Sequence, residues 1–451
     1  MEQLTQYLYS LFLAMALPLA SPILLFVPKT RAGLKQKLGF IDKSLRKALS
    51  NCKKGIWIHA VSVGEFNGVF PLLQAIKEKY PDSPLVISTT TKAGQLLAKQ
   101  RAGHMAQVIY FPFDLTWSVN RFLSLVEPSL VIIFETELWP NFINSCWQKN
   151  IPVAILNARM SPRSFKRYKF TKWFFGPVLK KLALIGAQTN KEVEHYKAVA
   201  GNDLPIQVFG NLKYDWPPLL NNAAISDLKA QLGIKSDELV LIGGSTHPDE
   251  EKIILDTYKK FLANPLIRKD KNLKVVIAPR HPERFVTVAK IIENAGYRAR
   301  RYSHGEKFVE QNDIYLLDTI GQLANFYSLA SLAFVGGSIA KVGGHNLLEP
   351  YLYAVPVVCG PHLFKTKETA TILDSEKALF IAADAQTVED RLLELIQDRD
   401  LREKMGNIGQ LWLNNNRGAV SKSLAEIGIL LQRNKLDGAL TNKPNKVEMT
   451  L

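Results

Sequence analysis

The chain has 451 residues, with 57 Lys+Arg against 41 Asp+Glu, a formal net charge of +16 and a pI near 9.5. Hydrophobic residues make up 47% and charged residues 22%, with ordinary Gly and Pro, which excludes disordered, collagen-like and low-complexity classes and is enough chain for two cored domains. Cys52, Cys146 and Cys359 are too few and too scattered for a disulfide framework or a zinc site, and their odd number points to a reducing compartment.

From Leu8 to Val27 the sequence runs for twenty residues without a charge, about the length that crosses a bilayer core. Pro18 and Pro22 would kink such a helix, and Lys29, Arg31, Lys35 and Lys37 follow at once, so a cleaved signal peptide is the weaker reading. Basic flanks stay on the cytoplasmic side. The segment therefore predicts a membrane anchor over residues 1–28, spanning or lying in the interface, with the rest of the chain inside the cell. The alternative is a buried or interfacial helix of the first domain.

Beyond it, apolar runs alternate with amphipathic stretches, the pattern of parallel strands joined by helices. The first set is Ile56 to Val63, Leu85 to Thr89, Val108 to Phe111, Leu130 to Glu135, Val153 to Asn157 and Ile206 to Gly210. A second set is Leu239 to Gly243, Lys274 to Ala278, Ile314 to Leu317, Leu332 to Val335 and Val355 to Cys359. Asn211 to Asp237, with Trp216-Pro217-Pro218 and Asn221-Asn222, separates the sets and is where regular structure is least expected. The expected fold is α/β: two doubly wound Rossmann-like domains facing a central cleft, residues 29–215 and 238–432, joined by a linker at 216–237. Met405 to Gln432 is helical in pattern and is expected to pack back across the hinge, with a flexible tail over 433–451.

In open parallel sheets, ligands bind beyond the carboxyl ends of the strands, so the loops after the apolar runs carry the candidate chemistry. The first is Ser62-Val63-Gly64-Glu65-Phe66-Asn67-Gly68. A carboxylate in the first turn of a helix gains from the dipole and stays ionised, so Glu65 is either a general base or a helix-capping acid. The second loop holds Glu135 and Glu137 behind a very apolar strand; such acids face a cleft or a basic partner, because an unpaired buried carboxylate is costly. Arg159 to Lys181 carries eight Lys/Arg and six aromatics without an acid, which points to anionic lipid over nucleic acid as the partner of Arg159, Arg163, Lys166, Arg167 and Trp173. In the second half, Arg280 ends a strand as a phosphate-neutralising guanidinium. Val335-Gly336-Gly337-Ser338 and Gly343-Gly344-His345-Asn346 read as glycines leading into a helix with an anion site at its start and Glu349 placed for ribose hydroxyls. No metal is expected: the histidines are dispersed, and the single D-x-D, Asp398-Arg399-Asp400, sits in a charged helical stretch.

HAVSVGE (59 to 65), FETELWPN (134 to 141), NARMSPRS (157 to 164), GNLKYD (210 to 215), APRHPER (278 to 284) and GGHNLLEP (343 to 350) together resemble the motif set of the bacterial Kdo transferases. These enzymes transfer 3-deoxy-D-manno-octulosonic acid (Kdo) from CMP-Kdo to the lipid A precursor. The resemblance runs in order from about residue 30 to 420. It implies a GT-B fold with an N-terminal anchor, inverting transfer without metal or cofactor to the 6′-hydroxyl of lipid IVA, and a place on the cytoplasmic face of the inner membrane. It further implies Glu65 as catalytic base, Glu135 and Lys213 as transition-state stabilisers, and CMP contacts at Pro279, Arg280, Ile320, Gly321, Gln322, Asn346, Leu347, Leu348 and Glu349. Another GT-B enzyme that glycosylates lipid from a different nucleotide sugar is the alternative.

Overall fold

The computed structural model describes residues 5–16, 31–215, 220–268 and 271–441, with side chains to Asn434. The chain divides into two compact units, Met1–Asp215 together with Arg417–Leu451, and Trp216–Asn416.

The first unit is built on seven parallel strands: β1 (Ile56–His59), β2 (Leu85–Thr89), β3 (Gln107–Tyr110), β4 (Leu130–Phe134), β5 (Val153–Ala158), β6 (Leu184–Ala187) and β7 (Ile206–Val208). They lie in the order β3-β2-β1-β4-β5-β6-β7, with helices between them. Successive side chains of a strand point to opposite faces, and here both faces are covered. Trp57, Val131, Ile133, Val153 and Ile155 enter one core, while Ile56, Ile58, Leu130, Ile132, Phe134, Ala154 and Leu156 enter the other. That is why these strands read as unbroken apolar runs. The strand order reverses between β1 and β4, so the loops leaving these two strands diverge and open a crevice at their carboxyl ends.

The second unit repeats the design with β8 (Leu239–Thr246), β9 (Leu273–Pro279), β10 (Arg298–Arg301), β11 (Asp313–Leu316), β12 (Leu332–Val335), β13 (Val357–Cys359) and β14 (Leu379–Ile381). The order is β10-β11-β9-β8-β12-β13-β14, all pairs parallel, and the reversal falls between β8 and β12.

Three strands escape the sequence reading. β10 is Arg-Ala-Arg-Arg at a sheet edge, where charge blunts further pairing; β14 is a three-residue edge strand; and β6 is four residues with a glycine in it. The stretch expected to lack regular structure also needs correcting. Asn222–Leu232 is an α-helix, capped by the Asn221 side chain on the Ala224 N–H, and it lays Ile225, Leu228 and Leu232 against the core of the second unit. The C-terminal helical stretch is two helices. Arg399–Asn415 stays with the second unit, whereas Ala419–Thr441 belongs to the first, where Ala419, Ile427 and Leu430 are core residues. The Asp215 carboxylate accepts the Gly418 N–H at 2.6 Å and the Val420 N–H, closing the start of that helix. The helix runs on to Thr441, and residues 442–451 of the expected tail lie outside the described residues.

Of the apolar segment Leu8 to Val27, residues 17–27 lie outside the described residues, and residues 5–16 form a helix. Tyr9 donates to Asp114 at 3.0 Å and Ser10 to Asn141 at 2.9 Å, which fastens this helix to the first unit. Its Tyr7, Leu8, Leu11, Phe12 and Met15 are exposed. Among the described residues no helix is long and apolar enough to cross a membrane.

Candidate functional site

Glu65 and Glu135 leave the two strands that flank the reversal in the first sheet. Ser62 caps the helix Val63–Lys79, and Glu65 in its first turn turns back so that its Oε2 accepts the Val61 N–H at 2.9 Å, with the Ser62 hydroxyl donating to Oε1 at 3.3 Å. Glu65 is therefore a capping acid in geometry. It does not stay firmly ionised, however. Burial, and then the charges of Glu135 and Glu137, push its pKa from 4.5 up to about 7, against the Val61 N–H and Ser62 hydroxyl, which pull it down. Helix position alone predicts the opposite direction; loss of water around the carboxylate wins.

Glu135 follows β4 with a backbone φ of +68°, a conformation that costs a non-glycine residue about 1 kcal/mol or more and is held by its N–H bond to the Leu156 carbonyl. Its side chain is 8% exposed. Lys213 Nζ donates to Oε1 at 2.7 Å, and Arg159 Nε lies 3.3 Å from Oε2. The buried acid is thus paired on both oxygens, and Arg159, expected on the lipid-facing surface, reaches Glu135 while its side chain stays 51% exposed. Glu137 has no such pairing among the described residues, and burial followed by the Glu135 charge raises its pKa.

Two residues support Lys213 in ways the sequence reading did not assign. Asn157, itself at φ +58°, accepts the Leu212 N–H at 2.9 Å and so holds the short 3-10 turn Leu212–Tyr214 that carries Lys213. Gly68 lies where a Cβ would come within 2.9 Å of both Lys213 Cε and Phe134 Cζ, so the lysine can cross the helix only over a glycine. An asparagine at a strand end within the 157 to 164 motif was the available signal.

The basic and aromatic stretch splits into two populations. Tyr168 is buried, and Phe165 and Phe175 pack against the core, Phe165 stacking on His195 at 4.0 Å. Arg163, Lys166 and Arg167 on the helix Pro162–Phe170 are exposed, as are Phe170 at 85% and Trp173 at 67%. Beside Trp173 a groove of about 640 Å³ is lined by Trp147, Lys172, Pro177, Lys180 and Lys181.

In the second unit, Pro279 ends β9, and the backbone N–H of Arg280 bonds to the Thr246 carbonyl while its side chain is exposed. Arg284, four residues on, is committed to Glu251 through contacts of 2.6 and 3.0 Å. Ile320, Gly321 and Gln322 form the loop after β11, with Ile320 72% exposed. The expected helix at Asn346 is absent. Asn346 to Glu349 is a turn in which Asn346 accepts the Leu348 N–H and donates to Glu349, followed by the four-residue 3-10 helix Pro350–Tyr353. Leu347 is 1% exposed, so its side chain belongs to the core and only its backbone is available to a ligand.

The glycine loop after β12 is not an empty anion site either. Its amides are taken by Glu250, a fully buried carboxylate that accepts N–H bonds from Gly337, Ser338, Ile339 and Ala340 at 2.8 to 3.1 Å, and from His247 at 2.9 Å. The loop was expected to offer its amides to a ligand's anion; instead they hold the protein's own carboxylate.

Residues 32–216 match the family described as "3-Deoxy-D-manno-octulosonic-acid transferase (kdotransferase)". A Haemophilus influenzae protein named 3-deoxy-D-manno-octulosonic acid transferase is 34% identical over 90% of this chain and 93% of its own length. One of the same name from Bordetella pertussis is 28% identical over 82% of this chain and 86% of its own. Among solved structures, the C-terminal CMP-Kdo binding domain of WaaA from Acinetobacter baumannii is 33% identical, with 41% of this chain and 93% of that one covered and a TM-score of 0.37. UDP-GlcNAc 2-epimerase from Neisseria meningitidis is 14% identical with a TM-score of 0.53, over 82% of this chain and 98% of that one, a likeness of fold. Two parallel-sheet α/β units of this kind are consistent with GT-B.

Proposed function

The chain belongs to the 3-deoxy-D-manno-octulosonic acid transferase family, and from that premise we propose that it moves Kdo from CMP-Kdo to the 6′-hydroxyl of lipid IVA, with inversion and without a metal. It is a glycosyltransferase; the donor, acceptor and stereochemistry are the proposal. The observation that carries it is the poise of Glu65. A carboxyl at about 7, beside a second acid that is ion-paired, is matched to accepting a proton from a hydroxyl near neutral pH.

In the proposed step the acceptor oxygen attacks the anomeric carbon of Kdo as the bond from that carbon to the CMP phosphate breaks. The hydroxyl proton passes to Glu65, and CMP departs with the bonding electrons. Glu65 contributes as a general base, worth roughly 10²- to 10⁴-fold. Lys213, held against Glu135, supplies a fixed positive charge to the transition state, and Arg280 in the second unit opposes the charge that grows on the leaving phosphate. Cationic side chains in these places take the role a divalent ion has in other glycosyl transfers.

The acceptor is an acylated, phosphorylated disaccharide, which must be met at a bilayer surface. The exposed Phe170 and Trp173, the basic Arg163, Lys166 and Arg167, and the exposed apolar side chains of residues 5–16 support a membrane-docking face. We place the protein on the cytoplasmic face of the inner membrane, anchored through its N-terminal segment. The test is mass spectrometry of tetraacylated lipid A precursor incubated with CMP-Kdo and the purified protein, wild type beside Glu65→Gln, which keeps an oxygen for the Val61 N–H. Wild type is expected to add whole Kdo units and the variant none. Unmodified acceptor with wild type, or equal transfer by the variant, overturns the reading.

A further inference from the structure

The loops that leave β8 and β12, at the strand reversal of the second sheet, bring together imidazoles to which no role is assigned above. His247 Nε2 lies 2.8 Å from His345 Nε2, with the two ring planes within 6° of one another. The His281 ring stands edge-on to His247 at 5.2 Å. Arg280 and Lys365 are near enough that their charges, with those of His247 and His281, oppose protonation of His345, behind the larger effect of burial.

The pair is built in. Glu250 holds the His247 N–H with the same oxygen that holds the Gly337 N–H, so one buried carboxylate fixes both loops. At Gly337 a Cβ would fall 2.8 Å from the His345 ring, so only glycine lets the imidazole reach its partner.

Two nitrogens at that distance share one proton. In the neutral pair one ring donates through Nε2 and carries no proton on Nδ1, while the other accepts and has its proton on Nδ1. Among the described residues neither Nδ1 has a protein partner. One more proton would equip both rings with an outward N–H and give the pair a positive charge. In the free protein that state is suppressed: burial and the surrounding cations hold His345 down at about 3, and burial lowers His247 despite Glu250 and Glu251. Around Arg280, His281, Lys365 and the two neutral imidazoles, the buried carboxylates are committed elsewhere, Glu250 to backbone amides and Glu251 to Arg284, and the exposed Glu283 reaches only His281, at 3.8 Å, so the positive charge beside the pair leaves room for an anion.

We propose that His247 and His345, beside Arg280, form a phosphate site that takes up one proton from solvent as the phosphate of the cytidine nucleotide binds. The inference rests on the CMP-sugar reading of this unit. An anion next to the pair favours its charged form, and the added charge-assisted hydrogen bond strengthens binding about tenfold or more.

The experiment is calorimetry of CMP binding to the full chain near neutral pH in buffers of different ionisation enthalpy, which yields protons exchanged per ligand. Wild type, His247→Asn and His345→Asn are compared, with cytidine as the ligand lacking phosphate. The expected result is close to one proton taken up by wild type with CMP and none with cytidine, with both variants losing the uptake and binding CMP about tenfold more weakly. Thermal unfolding checks that the variants fold; the Glu250 bond to the His247 backbone survives either substitution. Uptake that persists in the variants places the proton on the nucleotide and overturns the proposal, as does CMP binding to wild type without uptake. Failure of wild type to bind CMP at all overturns the donor reading together with it.

Discussion

If Glu65 is the base, kcat/KM for the acceptor must follow its ionisation in the enzyme form that meets the acceptor, and the structure sets where. Its pKa is pushed up to about 7 by burial and by Glu135 and Glu137. About a tenth of the molecules then carry the base form at pH 6, half at pH 7 and roughly nine-tenths at pH 8, so kcat/KM should rise roughly tenfold over those two pH units and then level. Initial rates at saturating CMP-Kdo, with limiting acceptor and constant ionic strength, measure it. Glu137→Gln removes one of the like charges and should move the limb to lower pH. Stability carries the same signature with its own sign. The folded value lies above the unfolded 4.5, so the folded state binds more protons between 4.5 and about 7. The favourable contribution is complete below 4.5 and is lost as pH rises through about 7. Above that, ionised Glu65 costs at most roughly 3 kcal/mol, an upper figure because the side chain is partly exposed and screened. Glu65→Gln should therefore be inactive yet more stable than wild type at pH 8, with the advantage gone at pH 4. A flat rate profile from pH 5.5 to 8, a limb centred near 4.5, or a Gln variant less stable at pH 8 refutes the reasoning.

Other perturbations isolate single contacts. Lys213→Met leaves the buried Glu135 with Arg159 alone; it should lower stability by about 1–3 kcal/mol, less than for a fully buried pair because Lys213 is 37% exposed, and abolish turnover while calorimetric CMP affinity stays unchanged. Asp215→Ala strips the acceptor from the Gly418 and Val420 amides; a loss of about 1–2 kcal/mol is expected, seen as faster hydrogen exchange over 419–434. Replacing Phe170 and Trp173 by Ser and Lys166 and Arg167 by Gln should weaken binding to vesicles containing anionic lipid about tenfold or more, without affecting CMP; unchanged vesicle binding removes this face from the membrane.

Much of this architecture could be read without coordinates because burial on both faces writes strands as apolar runs. Leu-Val-Ile-Ile-Phe in β4 is unmistakable, and the acid behind it marks the loop that matters. Arg-Ala-Arg-Arg in β10 is a strand only because β11 pairs with it, a fact of the partner and not of its own residues. The same limit applies at the site. That Glu65 follows a strand is local information; that its pKa is raised to about 7 depends first on its burial in the folded unit and then on Glu135 and Glu137, some seventy residues later, arriving across the strand reversal. Lys213 gave no signal of its own in the sequence. Its place depends on Asn157, on Gly68 and on the end of β4, three separate segments.

Glu250 shows what separates a structural carboxylate from a reactive one. Both Glu250 and Glu65 stand at the start of helices that follow the first strand of a sheet. Glu250 is buried completely and accepts five backbone N–H bonds, so its acceptor capacity is taken up and a proton moved onto it would break the loop it organises. Glu65 has one backbone N–H and one long hydroxyl contact, faces two like charges, and is less stable ionised than it would be in water. The glycine-rich sequence around 336–338 looks more like a ligand site than Ser62 to Gly68 does, yet the ledger of hydrogen bonds reverses that ranking. What is left unsatisfied, Glu65 in one unit and the His247–His345 pair in the other, is where a substrate has something to complete.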